Sequence, residues 1–216
     1  PLVDSGCACP ETGWESVDGP VPALFLKRHS YGEFVFDFQF AQAYLQQGLT
    51  YYPKLVCAVP FTPVSGPRLG PAPDGQVLLD VCSARGASGA HVLFLPEAEA
   101  AALHVQGWAW RQDLRFVWRN RGYADFEEFL VALASKKRKN IRAERRKVEA
   151  LDLEIRWQAA ADFRADEWPQ VFELYASTYA MRGQTPYLNL ACLRAWADAP
   201  GGRFQFCVAR HRGEII

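Results

Sequence analysis

Eight of the twelve residues from 136 to 147 are lysine or arginine and only Glu144 opposes them, so this stretch carries +7 in a chain of net charge zero. Such a run can simply be a solvated helix face. Its single sign leaves few partners for salt bridges one turn away, so like charges repel and cost stability unless a polyanion offsets them. A tRNA acceptor stem, a nucleotide diphosphate or an anionic headgroup would each do so. Lys137, Arg138 and Arg142 are the residues assigned to that contact. A second set lies between a strand and a helix: His29, Ser30, Tyr31, Glu33 and Asp37, with Tyr51, Tyr52 and Lys54 beyond the helix. Histidine, carboxylate and lysine at a strand end can act as general base and substrate clamp, and can equally satisfy turn backbone. His29, Glu33 and Asp37 are the candidate catalytic groups, and Tyr51, Tyr52 and Lys54 the candidate substrate contacts. A third feature is the loop 62–69, TPVSGPRL, where Arg68 could meet a phosphate. Pro63 and Pro67 remove two N–H donors that a backbone phosphate cradle would use, so a structural turn fits it as well. His91 enters an apolar strand, as a satisfied core histidine does, and joins the substrate-contact candidates.

Other chemistry is excluded by pattern. Residues 86–90 (GASGA) approach the nucleophile elbow of hydrolases, but here the turn runs from helix into strand rather than from strand into helix. There is no phosphate-binding Walker loop, no dinucleotide fingerprint and no His-Glu-x-x-His. Cys7-Ala-Cys9 has neither the spacing nor the second ligand pair of a metal site, and no metal is expected.

The elements that must hold these residues read as follows. Residues 12–30 form a hairpin around Asp18-Gly19. Phe38, Ala41, Tyr44 and Leu45 recur at helical spacing and stop at Gly48. Residues 55–61 (LVCAVPF) are a continuous apolar run, the mark of a strand buried on both faces. Asp74 is placed to cap a helix that ends near Gly86. A strand over 91–95, a helix after Pro96 closed by Gly107, and an alternating half-exposed strand over 108–118 come next. Helical steps then link Phe126, Leu130, Leu133, Ile141 and Val148, and residues 151–157 (LDLEIRW) alternate like a strand. Pro169 opens another helix, Thr185-Pro186 cap and start the next, and Pro200-Gly201-Gly202 stop it. Residues 204–216 then begin a second hairpin that echoes the first.

Composition bounds the setting. With 216 residues, half of them hydrophobic, the chain can bury a substantial core. No signal peptide and no apolar run long enough to span a bilayer is present. Six scattered cysteines, with Cys57, Cys82 and Cys207 in apolar segments, point to reduced thiols and a cytoplasmic compartment. A start at Pro1 and an end inside a strand-like run read as a fragment.

The order from residue 55 (strand, loop, helix, strand, helix, Gly-Trp, strand) resembles the cofactor-binding half of a GNAT domain, and strand, two helices, hairpin from 151 resembles the start of another. The fold class expected is therefore α/β (α+β), with a central mixed sheet flanked by helices. The expected domains are 1–123, a first GNAT-like domain lacking its N-terminal part, and 124–216, a linking basic helix and a truncated second one. Residues 27–37 (KRHSYGEFVFD), 51–55 (YYPKL), 58–69 (AVPFTPVSGPRL), 120–123 (NRGY) and 135–145 (SKKRKNIRAER) are together similar to a bacterial FemAB-like family of N-acyltransferases and peptidoglycan biosynthesis or recognition proteins. The resemblance covers nearly the whole chain. It implies tandem GNAT-like acyl-CoA N-acyltransferase domains that move an acyl or aminoacyl group to an amine acceptor such as a peptidoglycan precursor. The donor implied is acyl-CoA or aminoacyl-tRNA. The alternative is a non-catalytic recognition module that binds a wall precursor or tRNA through the basic helix. The chain departs from the family pattern at Val117, where a histidine is expected, and stops before the second domain's own motif half.

Overall fold

The computed structural model describes residues 1–70, 74–199 and 204–216. It is a mixed α/β structure of two compact units, one formed by residues 1–111 and 183–195, the other by 112–182 and 196–216.

The first unit is built on a four-stranded sheet in the order β1-β2-β3-β4. These strands are β1 (Glu15–Ser16), β2 (Leu24–Lys27), β3 (Lys54–Cys57) and β4 (Ala90–Val92). β1 and β3 flank β2 antiparallel, and β4 joins β3 in parallel. β3 is buried throughout because both of its faces are covered, which explains the unbroken apolar run. Leu24, Leu26, Leu55 and Cys57 pack on one face against Leu78 and Cys82. Phe25 and Val56 pack on the other against Trp14, Ala8 and Leu93. α1 (Phe38–Gln46) connects β2 to β3. α2 (Gly75–Ala84) starts at Asp74, whose carboxylate accepts the N–H of Gln76, and α3 (Glu97–Val105) starts after Pro96.

The expected strand at 108–118 is not formed. Among the described residues its alternation has no neighbouring strand to pair with, and Leu114, Phe116, Val117 and Trp118 are all exposed. The continuous helical reading from 126 divides into α4 (Phe126–Val131) and α5 (Ser135–Glu149). α4 starts at an N-cap: Asp125 accepts from the Glu128 N–H, and the Glu128 carboxylate accepts from the N–H of Ala124, one residue before the cap.

β5 (Leu153–Ala159) follows, then α6 (Trp168–Ala180) with a proline in its first turn. α7 (Leu190–Ala197) begins later than Thr185-Pro186. Its cap is Asn189, which accepts the Cys192 N–H and also donates to the Ser5 carbonyl. A cap tied to a distant segment is invisible to local spacing. The proposed stop at 200–202 lies outside the described residues. β6 (Gln205–His211) pairs with β5 over seven residues and with β7 (Glu214–Ile215) through Arg212-Gly213, both at positive φ as a tight hairpin turn requires. All six cysteines are free, and Cys207 is exposed on β6 rather than packed.

Candidate functional site

Lys27 and Lys54 sit directly opposite each other on β2 and β3. Like charges at that spacing repel, and both side chains are fully buried. The fold answers with two carboxylates from the intervening segment. The Lys54 ammonium donates to Glu33 Oε2 at 2.8 Å, to Ser30 Oγ at 2.8 Å and to Asp37 Oδ2. Tyr51 Oη donates to the same Asp37 oxygen at 2.7 Å, and Ser30 Oγ bonds Tyr52 Oη. Lys27 donates to the Tyr31 carbonyl at 3.1 Å and lies 3.7 Å from the centre of the Trp14 ring. Two cations and two carboxylates thus balance inside the first unit. Glu33 Oε1 and Asp37 Oδ1 remain buried without a partner.

The charges are tuned accordingly. Burial raises the Glu33 carboxyl, against the pull of Lys54 and Lys27. Burial acts in the same sense on Asp37, yet the hydrogen bonds from Lys54 and Tyr51 hold it below the ordinary value. Burial, the Asp37 hydrogen bond and its charge push Tyr51 far up, so its phenol stays protonated. Burial lowers Lys27 to about 8, with Glu33 opposing and Lys54 assisting. A lysine whose pKa is lower in the folded than in the unfolded chain binds fewer protons when folded. Its contribution to stability therefore rises with pH between about 8 and the ordinary lysine value near 10.5, and it is unfavourable below that window. Urea unfolding of Lys27→Met is expected to lose this upward slope, and an unchanged slope would show that Lys27 does not titrate there.

Seven of the sequence-assigned residues converge here. Glu33, Asp37, Tyr51, Tyr52 and Lys54 form the cluster itself. His91, on β4, packs its ring 5.9 Å from Tyr51, and burial with the Lys54 charge lowers it to about 4, so it is neutral near pH 7. His29 lies beside the cluster rather than in it. Its ring rests over Gly13, where an added Cβ would come within 2.3 Å of Nε2, and burial and Lys27 lower its pKa. Lys27 was not among the candidates; the signal for it is a lysine that ends an otherwise apolar strand, LFLK.

Arg68 is placed differently. It is buried, and its guanidinium donates to the carbonyls of Val64 at 2.7 Å and Pro67 at 3.2 Å. The backbone N–H groups of Arg68 and Leu69 both donate to Glu99 Oε2, at 3.0 and 3.1 Å. The protein's own carboxylate occupies the place that an anion would take in a loop cradle.

The basic helix, α5, divides by face. Arg138 donates to the Val131 carbonyl, Arg142 pairs with Glu127, and Arg145 lies 4.5 Å over the Phe126 ring. These three clamp α4 to α5. At 100° per residue, Lys136, Lys139, Arg146 and Lys147 share a sector of about 100° on another side, without a hydrogen bond or ion pair among the described residues. Lys137 stands apart between the two sectors. The free cationic face is therefore not the one assigned from sequence, because Arg138 and Arg142 are engaged by α4.

A mixed α/β chain with a sealed charge cluster in one unit and a free basic helix face in the other is what these observations describe. The signature of the FemAB-like family, described as peptidoglycan biosynthesis/recognition, matches residues 1–216, and the chain belongs to that family. No curated protein matches the chain, and no solved structure does. Among the described residues no helix is long and apolar enough to cross a membrane.

Proposed function

We propose that the chain serves acyl or aminoacyl transfer to an amine of a peptidoglycan precursor, on tandem GNAT-like units, with acyl-CoA or aminoacyl-tRNA as donor. The observation that carries this reading is the one-signed outer face of α5, set beside the family's peptidoglycan description. Four unpaired cations in one sector suit a phosphate-bearing donor. In the step itself the acceptor nitrogen forms a C–N bond to the donor carbonyl as the C–S or C–O bond breaks. The proton lost by nitrogen goes to a general base and from there to the departing thiolate or ribose oxygen.

A second reading, a recognition module without turnover, is favoured by one specific observation: Glu99 already fills the loop amides that would hold a donor phosphate. Calorimetric titration with acetyl-CoA and with aminoacylated tRNA, combined with an assay for released thiol or deacylated tRNA, separates the two. Replacing Lys136, Lys139, Arg146 and Lys147 with alanine is expected to flatten the plot of log affinity against log salt by roughly one unit for each phosphate no longer neutralised. Parallel salt plots would remove α5 from donor binding. Saturable binding with no release in the presence of amines would select the recognition module.

A further inference from the structure

The approach to α4 holds a constellation distinct from the charge cluster and from the outer face of α5. Four aromatic rings gather around one cavity there. Phe129 forms its floor, with Trp118 at 5.9 Å and 87°, Tyr123 at 5.6 Å and 68°, and Phe126 at 5.7 Å and 44° between ring centres and planes. Trp118 is 64% exposed, so the cavity among these rings is open to solvent rather than part of a closed core.

The walls are held by polar groups already engaged elsewhere. Asn120 Oδ1 accepts from the N–H groups of Gly122 and Tyr123, at 3.0 and 2.8 Å. Asp125 Oδ1 caps α4 at 2.8 Å, while its second oxygen makes no hydrogen bond among the described residues. Among the described residues Asp125 is the one carboxylate lining the cavity. The neighbouring charges are Arg119 and Arg121, exposed on either side of Asn120, Glu127, paired with Arg142, Glu128, engaged with the Ala124 N–H, and Arg145, whose guanidinium lies over Phe126; none of them lines the cavity. Ring faces carry negative quadrupole potential, and a carboxylate beside them adds to it. A cation that is weakly hydrated gains most from such a box. Arg145 shows that Phe126 accepts a cation on its face.

We infer that Trp118, Tyr123, Phe126 and Phe129, with Asp125, form an aromatic cage for an organic ammonium ion. The assignment is independent of the transfer reading, since it concerns binding alone. An alkylammonium at the end of a side chain and a quaternary ammonium group share this chemistry, and their relative affinity tells them apart.

Calorimetric titration of the whole chain with tetramethylammonium and with methylammonium is the test, at ionic strength held with sodium chloride. Neutral 3,3-dimethylbutanol serves as the isosteric control. Saturable binding of one of the cations is expected, with the neutral alcohol at least about tenfold weaker. Trp118→Ala should abolish it, because an exposed ring can be removed without emptying a core. Asp125→Asn should weaken it severalfold while keeping the helix start, since asparagine caps as well as aspartate. Tighter binding of tetramethylammonium assigns a quaternary ligand, and tighter binding of methylammonium a primary amine. Equal binding of the neutral alcohol, or no saturable binding of either cation, overturns the cage.

Discussion

Replacing Lys54 with methionine is expected to cost the first unit about 3–5 kcal/mol of unfolding free energy, seen as a large fall in the urea midpoint. The ammonium group holds Glu33, Asp37 and Ser30 together, and it is fully buried. Without it two carboxylates stay inside the fold, with Lys27 as the remaining cation nearby. Desolvation of an unpaired charge far exceeds the loss of one hydrogen bond. The quadruple change Lys27→Met, Glu33→Gln, Asp37→Asn, Lys54→Met removes all four buried charges and should recover most of the loss. The pH dependence follows with a definite sign. In Lys54→Met both carboxyls titrate higher in the folded chain than in the unfolded one, so the folded form binds more protons and its stability falls as pH rises. The deficit against wild type should therefore shrink in acid. A loss under about 1 kcal/mol that does not change with pH would mean that water reaches the cluster.

Arg210 has the corresponding place in the second unit. Its guanidinium donates to Glu167 Oε1 at 2.6 Å, to Gln158 Oε1 at 3.3 Å and to the Gly213 carbonyl at 3.0 Å. One side chain thereby ties α6, β5 and the β6–β7 turn. Burial raises the Glu167 carboxyl, but the Arg164 N–H and the Arg210 guanidinium outweigh it and hold the group below its ordinary value. Arg210→Met takes the guanidinium from that carboxylate but leaves it the Arg164 N–H at 2.8 Å and the Arg164 guanidinium at 3.6 Å, and about 1.5–3 kcal/mol of loss is expected. Glu167→Gln should cost less, because the guanidinium keeps its two other acceptors. Hydrogen exchange gives the local readout: amides of β5 and β6 should lose protection in Arg210→Met. Unchanged exchange in those strands would show that the sheet does not depend on this pair.

Much of the framework was legible because its causes are local. The apolar run at 55–61 yields a central strand because both faces of β3 are covered. Asp74 caps α2 and the proline sits in the first turn of α6, since capping and N–H loss act within one helical turn. Arg212-Gly213 makes the hairpin turn because the strands on either side already alternate correctly. Among site residues, Glu33, Asp37, Tyr51, Tyr52 and Lys54 were readable as a polar set bracketing one helix.

What failed depended on partners remote in the chain. Residues 108–118 alternate like a strand, but a strand forms only where another offers its hydrogen bonds. Helix α7 starts at a cap fixed by hydrogen bonds with residues 5 and 7. Arg68 looked like a phosphate ligand until Glu99, some thirty residues on, took the loop amides. The order of residues is enough to set the charge of α5, the apolar identity of β3 and the family to which the chain belongs, because composition, period and motif are properties of neighbours along the chain. Folding in three dimensions is what sets Lys27 against Lys54 and brings Glu33 and Asp37 to neutralise them. It also selects which cations of α5 stay free. Each of these is a through-space pairing, and the energy of a charge in a protein is set by what lies a few ångströms away, not by what lies next in sequence.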